Sequence, residues 1–89
     1  MREFENEDGQ MAFPKSEQEW AQRAARNLKA ELKRAEVTYE ELAERLKEHG
    51  FEETKASVAN KLSRATMTAH FFLASLAAIK RESVNLEEI

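Results

Sequence analysis

Between Ser16 and Ile89 the chain has one glycine, Gly50, and no proline. These two residues weaken a helix interior most, by about 1 and about 3 kcal/mol relative to alanine. Their scarcity leaves the stretch open to helices joined by short turns. Its apolar residues recur at helical spacing and never settle into strand alternation. Cysteine is absent, which removes disulfides, thiolate metal sites and a thiol nucleophile. A chain of 89 residues supports one domain with a modest core. No apolar run approaches the roughly 20 residues of a membrane span. The acidic N-terminus lacks the apolar stretch of a signal peptide, so the expected location is the cytoplasm.

Residues 1–15 have no periodicity. They carry Glu3, Glu5, Glu7 and Asp8 along with the breakers Gly9 and Pro14. A flexible acidic N-terminal arm is expected there, ahead of a folded domain over residues 16–89. Ser16 and Glu19 have capping-box spacing and open a first helix over about 17–35. Its apolar arc holds Trp20, Ala21, Ala24, Ala25, Leu28, Leu32 and Ala35, with Glu31 as the one charge among them. Arg23, Arg26, Lys29, Lys33 and Arg34 take the opposite arc. Thr38 and Glu41 form a second box, and Tyr39, Leu42, Ala43, Leu46 and His49 line one face of the helix that follows. Gly50 is placed to end that helix in the left-handed conformation, with Phe51 folding back. Thr54 caps a third helix over 55–64 that buries Val58 and Leu62. Thr66 or Thr68 caps a fourth over about 69–80. Phe72, Leu73, Leu76 and Ile79 form its main apolar face, while Phe71, Ala74 and Ala78 give it a second one. The tail, Asn85-Leu86-Glu87-Glu88-Ile89, suits one capped turn with Leu86 and Ile89 packing back.

The net charge of −3 is unevenly spread. Residues 20–35 hold five basic residues and one acidic, and residues 54–80 hold four basic and none acidic. Residues 36–53 hold seven acidic residues and two basic. Two positive segments in an acidic chain point to an anionic partner.

The stretch Thr38-Tyr-Glu-Glu-Leu-Ala-Glu-Arg-Leu46 resembles the first helix of the helix-turn-helix in lambda-repressor-like (Cro/C1-type) domains. Ala43 stands where that family places a small residue for close helix approach, and Val58 matches the buried anchor of its recognition helix. Arg64-Ala65, Thr66 to Thr68, and Leu73, Leu76 and Ile79 resemble the elements that follow. The glycine that the family places four residues after the alanine is replaced by Lys47; here it arrives at Gly50, so the turn is longer. The pattern from Trp20 through Glu53-Thr54 and Asn60-Lys61-Leu62-Ser63-Arg64 to Phe71-Phe72-Leu73 also resembles a family of small bacterial proteins classed as a domain of unknown function. The resemblance implies an all-α, compact four-to-five-helix bundle with a central helix-turn-helix, and a transcriptional regulator acting as a dimer.

On that reading helix 55–64 is the recognition helix. Ser57, Asn60 and Arg64 would read bases in double-stranded DNA, since arginine pairs with guanine and asparagine with adenine through two hydrogen bonds each. Thr54, Lys55 and Lys61 would hold phosphates, which position a protein without reading sequence. A homodimer would form through Phe71, Ala74 and Ala78, assisted by the tail near Leu86 and Ile89. The alternative is a helical protein-interaction module that keeps the fold without binding DNA. His49 and His70 lack a third ligand at metal spacing, and no catalytic set or glycine-rich phosphate loop stands out. Neither an enzyme nor a cofactor, metal, membrane or small-molecule substrate is expected.

Overall fold

Four hydroxyls decide where the helices begin. In the computed structural model, which describes residues 13–89, the side chains of Ser16, Thr38, Thr54 and Thr68 accept the backbone N–H of Glu19, Glu41, Ser57 and Phe71 respectively. Each satisfies one of the amides that a helix start leaves without an internal partner. The helices so opened are α1 (Glu17–Ala35), α2 (Tyr39–Lys47), α3 (Lys55–Arg64) and α4 (Ala69–Ala78). Thr38 and Glu41 bond reciprocally, as their spacing predicts. Ser16 gives only half of the expected box; Glu19 turns instead toward Arg23, 3.8 Å away. The choice between Thr66 and Thr68 falls to Thr68.

The four ends are alike as well. The N–H of Val37 bonds to the Leu32 carbonyl, Phe51 to Leu46, Thr66 to Lys61 and Arg81 to Leu76. In each case the residue just before the donor has positive φ: Glu36, Gly50, Ala65 and Lys80. This six-to-one closure ties up carbonyls that the last turn leaves open. Only Gly50 suits the left-handed conformation at no steric cost, and nothing lies within 4 Å of where a Cβ would stand. Gly50 is therefore required for its φ of +88° and not for room. Phe51 folds back after it onto the core, as expected.

α1 packs on α3 and α4, and so does α2, which leaves α3 and α4 each held between the other two. The fold is all-α, with no strand among the described residues. Leu28, Leu42, Leu46, Val58, Leu62 and Phe71 are the large apolar side chains sealed in its core. Burial of each contributes about 1.5–3 kcal/mol before entropy is counted.

Several positions differ from the sequence expectation. Trp20 is 38 % exposed; it stacks on Phe13, with 5.9 Å between ring centroids, outside the core. Two charged side chains of α1 are buried instead. Glu31 receives a hydrogen bond from Arg34 Nη1 at 3.0 Å, and Arg81 Nε lies 3.2 Å from its other oxygen. That second approach is electrostatic, because the N–H is not aimed well enough to make a hydrogen bond. Arg23 reaches the Ile89 carbonyl at 3.4 Å. Both burials arise because residues 81–89 lie along α1. In that tail Asn85 caps a turn, donors Glu87 N–H and Glu88 N–H closing on it. Val84 and Ile89 are partly covered there, while Leu86 remains 53 % exposed instead of packing back.

The largest difference is the rotation of α4. Its buried residues are Phe71, Ser75, Leu76 and Ala78, joined by Ile79 just beyond its end. Phe72 is only half-buried and Leu73 is 62 % exposed. The helix is turned toward Phe71 by somewhat less than one residue step of about 100°. Phe71 and Ala78, expected to face a second copy, thus belong to the chain's own core, and Ala74 is half-buried beside them. The cause is tertiary. Phe51 meets Phe71 edge-on at 6.2 Å, Lys61 Nζ sits 5.1 Å above its ring, and Arg45 Nη1 donates to the Ala78 carbonyl at 3.2 Å. The expected acidic arm lies outside the described residues except for Phe13, Pro14 and Lys15.

Candidate nucleic-acid interface

The surface in question is the outer side of α3, and it is organised from the residue before the helix. Glu53 receives the Ser57 hydroxyl at 2.6 Å on one carboxylate oxygen and Lys61 Nζ on the other. Ser57 is simultaneously the reciprocal partner of the cap: Thr54 N–H donates to Ser57 Oγ at 2.8 Å, and Ser57 N–H donates to Thr54 Oγ1 at 3.0 Å. Burial pushes the Glu53 carboxyl pKa up, but the hydrogen bonds from Lys61 and Ser57, with the lysine charge, outweigh it, so the value is lowered. Glu53 is consequently a charged clasp that joins the end of the long turn to the first two turns of α3.

This clasp redistributes the residues expected to contact DNA. Ser57 is half-buried and faces the turn, so it does not join the outer face. Lys61 is also half-buried, committed to Glu53 and to the Phe71 ring. Thr54 is exposed, but its hydroxyl serves the cap. Three expected residues are exposed: Lys55 in the first turn, and Asn60 and Arg64 one turn apart farther along, with Ala56 and Ser63 exposed beside them. Lys55 and Arg64 have no carboxylate within ion-pair distance among the described residues. The cap occupies the amides of Thr54 and Ser57, so those of Lys55 and Ala56 are the free donors of the first turn.

Val58 and Leu62 fix the orientation of this face, being 0 % and 1 % exposed. A residue two positions from Val58 and two from Leu62 must point outward in a helix, and that residue is Asn60. The segment from Thr54 to Lys80 contributes no acidic residue to the surroundings. A different surface follows α1, where Arg26, Lys29 and Lys33 are exposed, while Arg23 and Arg34 are drawn into contacts with the tail and Glu31. By contrast, Glu40 and Glu44 are exposed on α2 and Glu48 just past its end, with Lys47 bonded to Glu44 at 3.1 Å.

The Glu53 clasp escapes sequence reasoning because its two partners lie four and eight residues away on another element. The short spacing from Thr54 to Ser57 was the available signal. Glu31, isolated among apolar positions, was a visible signal for a second buried carboxylate. It borders a polar cavity of about 190 Å³ formed with Asn27, Arg81 and Asn85. No helix among the described residues is long and apolar enough to cross a membrane.

A family model described as "Domain of unknown function (DUF6471)" matches residues 20–84. No curated protein and no solved structure matches the chain.

Proposed function

The chain belongs to the DUF6471 family, a domain of unknown function; from the surface of α3 we propose that it is a sequence-specific DNA-binding protein. In this reading α2 and α3 act as a helix-turn-helix of the lambda-repressor-like kind. α3 enters the major groove, and the protein is a small transcriptional regulator of the cytoplasm that works as a dimer. The observation that carries the reading is the outer face of α3. Asn60 and Arg64 stand exposed with Ser63 between them, and no carboxylate lies among them. Asparagine and arginine are the side chains that pair bidentately with adenine and guanine. Lys55 and the free amides beside it suit a phosphate at the helix start.

One recognition helix reads only a few base pairs, so a dimer on a two-fold site gives the affinity that a single copy lacks. The test is a salt-titrated anisotropy assay against mixed duplex DNA, followed by selection of a preferred sequence. Replacing Asn60 or Arg64 by alanine should weaken the selected site by about 1–3 kcal/mol and leave non-specific binding largely intact. Lys55→Ala should weaken all sequences and reduce the salt slope by about one counterion. If low salt reveals no duplex binding, the reading fails. A helical protein-interaction module then takes its place, a role that the exposed glutamates of α2 favour, since they repel phosphate.

A further inference from the structure

Helical spacing gives α1 one arc of five basic residues, and the fold divides them into two sets. Arg23 reaches the tail, and Arg34 is bonded to Glu31. Arg26, Lys29 and Lys33 are exposed, and no carboxylate among the described residues lies within ion-pair distance of them. At about 100° per residue these three lie within about 60° of one another around the helix. From Arg26 to Lys33 the ridge covers about 10 Å, at 1.5 Å per residue. We propose that this ridge is a second phosphate-contacting surface, which holds the backbone of the duplex whose bases α3 reads. The proposal rests on the DNA reading of α3 and adds to it a surface on another helix.

The flanks of α1 place the ridge. Glu31, Asn27 and Arg34 lie about 60–120° round from buried Leu28 in one direction, and the ridge lies about 100–160° round in the other. α4 and the tail occupy the first flank, where Leu76, Arg81 and Asn85 border one cavity with Asn27 and Glu31. α1 packs on α3 as well as on α4, so α3 takes the opposite flank, the one from which the ridge continues outward. A duplex seated on the outer face of α3 thus has the ridge beside it. α2, which carries exposed Glu40 and Glu44, does not pack on α1, so its acidic face is not set against the ridge.

Charge complementarity and the make-up of the ridge argue for this occupant. Each strand of duplex DNA presents about one phosphate per 3.4 Å of axis, so a ridge of about 10 Å with three cations faces about three of them. Lysine and arginine hold phosphates without reading sequence, which suits a surface that positions α3. A helix lying on a lipid surface inserts its apolar arc, but Ala25, Leu28 and Leu32 of α1 are buried in the core. A protein partner binds chiefly through apolar or aromatic anchors at the centre of the contact. The ridge has no such anchor, and the exposed residue that continues it toward the helix start is Gln22.

The test is the affinity of the full chain for selected and mixed duplexes across a potassium chloride titration. Arg26→Gln, Lys29→Gln and Lys33→Gln combined should lower the slope of log affinity against log salt by about 2–3, since each phosphate contact contributes about 0.9. The change should be the same on both duplexes. The helical spectrum and melting temperature should not move, because all three side chains are exposed. Arg26→Lys, Lys29→Arg and Lys33→Arg combined keep the charge and should keep the parent's slope. Lys47→Gln, which removes a lysine bonded to Glu44, should also keep it. A glutamine variant with the parent's slope, or a charge-retaining variant that loses as much as the glutamine one, overturns the inference. So does a ridge that governs binding to phosphatidylserine vesicles and leaves the DNA slope alone. The two readings separate. A parent that binds every duplex alike, unmoved by Asn60→Ala and Arg64→Ala but weakened by the ridge variant, keeps this surface and loses the sequence-specific reading. A parent that selects a sequence through α3, with a slope indifferent to the ridge, does the reverse. No duplex binding at low salt ends both.

Discussion

α3 and α4 have the same length, the same kind of threonine cap and the same left-handed closure, yet they differ in what orients them. α3 has polar residues on one side and Val58 and Leu62 on the other, so its hydrophobic contrast alone sets its rotation about its axis. α4 is apolar nearly all round. Several rotations would bury similar area, and the hydrophobic effect has no direction with which to choose among them. The choice falls to contacts from other elements: Phe51 and Lys61 on Phe71, and Arg45 on the Ala78 carbonyl. Directional contacts thus settle what area leaves open.

The sharpest test of this contrast is on α4. Phe71→Ala should cost about 3–5 kcal/mol, read from a urea melt, while Leu73→Ala should change stability by less than about 0.5 kcal/mol. Equal costs would mean that α4 is not rotated as described. On α3, Leu62→Ala should cost about 2–5 kcal/mol, and a parent-like thermal melt would remove Leu62 from the core.

The clasp between the helices gives the next largest effect. Glu53→Gln should cost about 1.5–3 kcal/mol at neutral pH, the range for hydrogen bonds to a charged group. The folded-state pKa of Glu53 is depressed, so its contribution is fully present above the ordinary glutamate value of about 4.3. It disappears as the pH falls through the lowered folded value. The difference between parent and Glu53→Gln should therefore shrink on acidification in that window. A constant difference down to pH 2 would show that the carboxylate charge contributes nothing.

The closure of α3 predicts a smaller gain. Ala65 holds φ +55° without being glycine. Ala65→Gly should raise stability by up to about 1 kcal/mol, since the left-handed conformation costs L-residues about 1–2 kcal/mol and glycine's greater unfolded freedom offsets part of that. A lower melting temperature would point to packing by the Ala65 methyl as the stronger effect. Smallest of all, Asn60→Ala and Arg64→Ala should leave stability within about 0.5 kcal/mol, because both side chains face outward. A substantial loss would show that this face is structural.

The sequence by itself determined the four helices and the starts of the first three. Ser16, Thr38, Thr54 and Gly50 act on neighbours within a few residues, and such short-range chemistry is written in the order of the residues. It also determined the outer face of α3, because Val58 and Leu62 leave Asn60 and Arg64 only one direction to point. Tertiary structure decided the rest. Helical spacing alone does not show that Ser57 and Lys61 both bond to Glu53, at the end of the turn. Arg23 and Glu31 entered buried contacts only because residues 81–89 run along α1, and Trp20 remained at the surface, stacked on Phe13. Phe71 displaced Phe72 from the core because Phe51 and Lys61 meet it there. Each of these outcomes depends on groups from separate elements meeting at close range, and periodicity within one element contains no record of what another element brings to it.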